Sequence, residues 1–208
     1  MDIMKLNVGY ALRCIRGCWR LLTSIVESLR CKLSLILNNI KHGKLNIRGI
    51  PYFAVAPNAI CIIGNNVTLN NGLRHNPIGY PQPCSIVVAS NAKLTIGNNV
   101  GISQASIICH HSITIGDNVK IGGGVKIYDT NFHSLNPEVR RVKELDMQEK
   151  KCRPVVIEHD AFIGAGSIVL SGVTIGENSI VAAGSVVCKS IPANEIWGGN
   201  PARYIKKI

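Results

Sequence analysis

Six histidines, at positions 42, 75, 110, 111, 133 and 159, are the side chains of this 208-residue chain best suited to moving protons near neutral pH. An imidazole can serve as the general base that activates a hydroxyl, or it can hold a metal ion. His110 and His111 are adjacent, so in a strand they point to opposite sides and do not converge on one ion. His133 opens a charge-rich stretch that contains Pro137, Glu138, Arg140, Arg141, Lys143, Glu144 and Asp146. Taken by itself, such a histidine reads as a surface-loop residue. His42 and His159 read as turn residues. Eight cysteines are present, none in Cys-x-x-Cys spacing, and most lie among apolar neighbours as small hydrophobes. They predict a reduced, cytoplasmic protein without a disulfide frame. Lys189, Arg203, Lys206 and Lys207 gather near the C-terminus, where they suit either a phosphorylated ligand or a solvated tail.

The elements that would position these groups show as a repeat. Every sixth residue from Ile157 is Ile or Val: Ile157, Ile163, Val169, Ile175, Val181 and Val187. Four positions after the first five of these stand Ala161, Ser167, Val173, Ser179 and Ser185. Earlier blocks repeat the pattern at Ile63-Gly64-Asn65-Asn66-Val67, Ile96-Gly97-Asn98-Asn99-Val100 and Ile115-Gly116-Asp117-Asn118-Val119. A period of six with frequent Gly and Asn suits short strands joined by tight turns, three strands to a coil, and excludes an amphipathic helix. Single repeats are unstable, so the coils must stack. Only 5% of the chain is aromatic, which leaves Ile, Val, Leu and Ala to form the core. Two segments break the frame and predict loops: residues 73–90, rich in Pro and Gly, and residues 132–154.

Residues 1–44 differ in kind. Leu12, Ile15, Trp19, Leu22, Ile25, Val26 and Leu29 recur at helical spacing, and a second helical piece is expected over 32–40. Arg13, Arg16, Arg20 and Arg30 fall on other faces. This segment supplies over half of the chain's formal charge of +11. Two readings stand: the apolar side packs on its own domain or a sister subunit, or the helix lies in a membrane interface as a peripheral contact. The apolar runs are too short to span a bilayer. No nucleic-acid motif is present and aromatics are few, so nucleic acid is not an expected partner.

Residues 45–208 resemble the hexapeptide-repeat acetyltransferases, and within them the galactoside, maltose and polysaccharide O-acetyltransferases. The repeats carry the resemblance, together with the stretch from Ile127 to His133 that leads into the long loop, and the ending Gly199-Asn200-Pro201-Ala202-Arg203. It implies a left-handed parallel β-helix, mainly β, with a short N-terminal helical segment. It also implies a homotrimer with active sites between subunits, acetyl-CoA as co-substrate, and no metal. His133 then becomes the base that deprotonates a sugar or glycan hydroxyl as it attacks the thioester, with Asp129 or Glu138 orienting the ring. Ser103 stands near the place where similar enzymes keep an acceptor-binding Asn, which this chain lacks. His75, Asn131 and His111 are the other expected acceptor contacts. Gly166, Ala183, Gly184 and Ser185 would let the pantetheine arm lie close to the backbone, with Lys189 and Arg203 on the phosphates.

Three other readings share the fold: N-acetylation of an amino-sugar nucleotide, a γ-type carbonic anhydrase with three converging imidazoles, and a scaffold without activity.

Overall fold

The computed structural model describes residues 2–208. The side chains of residues 2–7, 18 and 20–22 lie outside the description, and with them the expected contributions of Lys5, Arg20 and Leu22.

Three parallel sheets form the sides of a prism. The first runs from strand Lys41–His42 through Lys93–Ile96 and Ser112–Ile115 to Thr174–Ile175. The second runs from Leu45–Arg48 through Gly101–Ser103, Phe162–Ile163 and Ile180–Val181 to Glu195–Gly199, with Ala202–Lys207 antiparallel at its edge, and the third from Tyr52–Val55 through Lys126–Tyr128 to Val186–Val187. The chain visits the faces in turn, and each strand pairs with its equivalents one coil away: Ile96 with Ile115, Ile115 with Ile157, Ile157 with Ile175. The aliphatic column read from the sequence is the core, and each of its six members is 0% exposed. The small-residue column is buried too. Its serines turn their hydroxyls onto backbone carbonyls, Ser167 onto Ala182 and Ser179 onto Pro192, because a buried hydroxyl without a partner is costly.

The corners explain the Asn and Gly. Between the first and second faces, one residue per coil adopts a left-handed conformation: Asn66, Asn99, Asn118, Asp160, Asn178 and Asn194. Asn and Asp tolerate that region better than other side chains. Their amides also ladder, Asn66 to Asn99 at 3.2 Å and Asn99 to Asn118 at 3.1 Å. His159 sits in the neighbouring ladder and accepts the Asp117 N–H through Nδ1, as expected of a turn residue. Between the second and third faces the left-handed residues include Gly49, Gln104, Gly124, Gly166 and Gly184.

Three expectations need correcting. Residues 2–37 form one helix, α1 (Asp2–Leu37), where two pieces were expected. Residues 73–90 are not loop throughout: Ser85–Val88 is a strand of the third face, with Ile86 and Val88 buried, and the short helix α2 (Gly72–His75) opens the true excursion. Finally, α1 does not pack its apolar stripe on its own domain. It docks through Glu27, Cys31 and Leu35, while Ile15, Trp19, Ile25, Val26, Leu29, Leu33 and Ile36 are half to three-quarters exposed. The 3.6-residue period separates these two sets onto opposite sides of the helix. Among the described residues no helix is long and apolar enough to cross a membrane.

Candidate active site

The long loop leaves the prism at the corner between the third and first faces, after strand Lys126–Tyr128. It carries two short helices, α3 (Pro137–Arg140) and α4 (Lys143–Glu149). Phe132 has a left-handed φ of 63°, its N–H held by the Thr130 hydroxyl, and this sharp bend turns out His133. The His133 ring is two-thirds exposed, yet its Nδ1 lies 2.6 Å from Oδ2 of Asp146. The other Asp146 oxygen accepts the Ser134 N–H at 2.6 Å. Hydrogen bonds from His133 and then from the Ser134 backbone hold the Asp146 carboxyl below the usual carboxylate range. An ionised carboxylate on Nδ1 selects the tautomer with its proton there, which leaves a lone pair on Nε2. That is the form a general base needs.

Asp146 replaces the two orienting residues read from the sequence. Asp129 is fully buried, and its carboxylate accepts the N–H groups of His110 and His111, both at 2.7 Å. It therefore ties together two successive coils, because the corner at 110–111 leaves two backbone donors unpaired. Glu138 is exposed in the first turn of α3, where its N–H is capped by Asn136. Asp146 was missed because the signal is an α4 residue folded back thirteen positions onto His133, a spacing with no sequence pattern.

His110 and His111 occupy a corner, not a strand. His110 meets the loop: its ring lies edge-on to Phe132 at 5.9 Å, and its Nδ1 is 3.0 Å from Lys150 Nζ. Burial and the Lys150 ammonium hold His110 below its ordinary pKa, against an opposite pull from Asp129. His111, the expected acceptor contact, is exposed at the corner.

The expected cofactor residues divide. Gly166, Ala183 and Gly184 lie on the corner between the second and third faces, and Gly184 has nothing within 4 Å of where a Cβ would stand. Arg203 pairs with Gly198 in a hairpin that follows this corner. Ser185 is buried and spent, its hydroxyl bonded to the Ala182 carbonyl and to the Gly199 N–H. Lys189 follows strand Val186–Val187, so it sits on the far edge of the third face from the glycines. Trp197 packs on the core and donates to Glu195 at 2.7 Å.

Of the acceptor candidates, Asn131 is exposed at the loop root, where its carbonyl accepts the His133 N–H at 2.7 Å. Ser103 stands beside Gln104 on the glycine corner and accepts from Asn70. His75 does not line an acceptor side: its Nε2 faces Glu27 of α1 at 3.5 Å. Among the described residues no three His, Cys, Asp or Glu side chains are placed to share a metal ion.

The coils have counterparts among known proteins. The family model described as the hexapeptide repeat of succinyl-transferase matches residues 93–129 and 154–189, the coils on either side of the long loop. Galactoside O-acetyltransferase of Escherichia coli strain K12 is 37% identical over 103 residues, 50% of this chain and 48% of that protein. Gamma carbonic anhydrase 2, mitochondrial, of Arabidopsis thaliana is 32% identical over 122 residues, 52% of this chain and 44% of that protein. The chain thus spans about half the length of the curated relatives it matches. Among solved structures, a hexapeptide-repeat acetyltransferase of Vibrio cholerae complexed with acetyl coenzyme A is similar at 28% identity and a TM-score of 0.53, over 87% of this chain and 77% of that one. In its repeat and its left-handed β-helical coils the chain is similar to the hexapeptide-repeat acetyltransferases.

Proposed function

We propose that the protein is an acetyl-CoA-dependent O-acetyltransferase whose acceptor is a sugar or glycan hydroxyl. The observation that carries the reading is the His133–Asp146 pair, an imidazole fixed in the basic tautomer on an extruded loop. His133 Nε2 takes the hydroxyl proton as the acceptor oxygen bonds to the thioester carbonyl carbon. The tetrahedral intermediate then collapses, the carbon–sulfur bond breaks, and the imidazolium returns the proton to the leaving thiolate. The products are an acetyl ester and the free thiol of CoA. The sugar is supported by the galactoside O-acetyltransferase relative, over half of this chain.

The carbonic anhydrase reading is disfavoured by the same contacts. Nδ1 of His110 faces the Lys150 ammonium, and among the described residues no three His, Cys, Asp or Glu side chains converge on one ion. A two-subunit site is favoured by topology. The His133 loop is rooted on one edge of the third face and the glycine column lies on the other, a strand of four residues apart, or about 13 Å. In a closed ring of three prisms, the loop of one subunit would reach the glycine corner of the next.

The exposed apolar stripe of α1, with Arg13, Arg16, Arg30 and Lys32 around it, supports a peripheral contact with an anionic membrane surface. Release of thiol from acetyl-CoA, measured against a panel of sugars, glycans and nucleotide sugars, tests the activity. Turnover with at least one hydroxyl acceptor is expected, and none with any acceptor would refute it. Co-sedimentation with vesicles containing phosphatidylserine tests the membrane contact. Binding should weaken with salt and vanish when residues 1–30 are removed; equal binding without them would refute it.

A further inference from the structure

The excursion over residues 72–83 is pinned to the glycine corner with unusual firmness. Gln104 is fully buried, sits at a left-handed φ of 46°, and donates its amide to the carbonyls of Asn76 and Tyr80 at 2.8 and 2.5 Å. Asn71 accepts the Cys84 N–H at the far end, 2.8 Å away. What these bonds present is the pair Ile78 and Tyr80. Ile78 Cγ2 lies 2.5 Å from the point where a Cβ on Gly123 would stand, and the Tyr80 ring overlaps the same point on Gly124. The Tyr80 hydroxyl lies 2.7 Å from the corresponding point on Gly166. The loop therefore uses the missing side chains of three glycines as a seat.

Exposure along the column follows from that seat. Gly123 and Gly124 are buried, Gly166 is half-buried, and Gly184 is exposed. Successive rungs are about 4.8 Å apart. The corner is thus open at Gly184, beside the Arg203 hairpin, and closed by the Tyr80 ring over Gly124. We infer that Tyr80 limits the length of the acyl group this protein can transfer. The inference rests on the acyltransferase reading above. Pantetheine entering from the basic end along Gly184 brings its thioester to Gly166, where the phenol edge stands. An acetyl methyl stops short of the ring, while a longer acyl chain needs the volume that the ring fills over Gly124. Discrimination by one methylene in an apolar site is about 10- to 200-fold, so a closed end wall is enough to set acyl choice.

The test compares kcat/KM for acetyl-, propionyl-, butyryl- and hexanoyl-CoA in the parent protein and in Tyr80→Ala, Tyr80→Leu and Tyr80→Phe. The readout is the butyryl-to-acetyl ratio within each variant, which is insensitive to how much of a variant folds. The parent should favour acetyl. Tyr80→Ala should raise the ratio by about 10-fold or more, Tyr80→Leu by less, and Tyr80→Phe, which keeps the ring, should leave it unchanged. Ratios in Tyr80→Ala and Tyr80→Leu within twofold of the parent, with acetyl turnover retained, would overturn the inference and leave the acyltransferase reading standing. No turnover of any thioester by the parent would overturn both.

Discussion

The two aspartates near His133 have different jobs, and substitution separates them. Asp146 bonds the reacting imidazole, so Asp146→Asn should lower kcat by about 10²-fold or more, with unfolding curves close to the parent. His133→Ala should cost about 10²–10⁴-fold in the same assay. Asp129→Asn should instead act on stability. One of the two half-buried N–H groups would lose its acceptor, at a cost of about 1 kcal/mol, read as a lower urea midpoint. The Asp146 carboxyl is held low by His133 and Ser134. Its anchoring of the loop is therefore complete above the ordinary carboxylate range, and is lost only as pH falls through that depressed value. Protection of the Ser134 amide against hydrogen exchange, followed from pH 7 down to pH 3, should persist below the pH at which ordinary carboxylates protonate.

At the scale of elements, corners decide what each coil can carry. Gly166 combines a left-handed φ of 72° with the Tyr80 hydroxyl 2.7 Å from where a Cβ would stand. Gly166→Ala should thus both strain the turn and dislodge the 72–83 loop, losing more stability in a thermal melt than Gly184→Ala, where the turn is strained but the space is open. The strands and the core were legible in the sequence, because a period of six with one Ile or Val per hexad maps one-to-one onto buried positions. The roots of both excursions were legible too, as breaks in that period. What occupies the excursions was not. Asp146, Tyr80 and Gln104 act through contacts between segments far apart in sequence, and nothing local distinguishes them from other loop residues. Ser85–Val88 was hidden for a different reason: Pro81 and Pro83 just before it made the whole stretch look irregular. The stripe on α1 was legible as a stripe, but its orientation depends on Glu27 meeting Arg74 and His75, a long-range ion pair.

For the molecule as a whole, the narrow prism leaves little interior that solvent can reach. Cys61, Cys84 and Cys109 are buried in the core, and burial raises their thiols, Cys84 to about 11 and Cys61 to about 12. Thiolate is the reactive form, so a disulfide reagent at pH 8 should modify exposed Cys14 and Cys188 within minutes and leave these three intact until denaturant is added. Mass spectrometry of the labelled peptides reads this directly. The two ends of the stack are finished differently from its middle. Leu35 and Ile40 close one end. At the other, strand Glu195–Gly199 pairs parallel with Ile180–Val181, and strand Ala202–Lys207 then folds back antiparallel upon it. Parallel rungs with bare edges are the geometry of a growing fibril. The reversed last strand, bearing Arg203, Lys206 and Lys207, offers a newcomer the wrong direction and a like charge. The hairpin thus ends the second face of the stack with a reversed, basic strand, which disfavours end-to-end pairing of parallel rungs on that face.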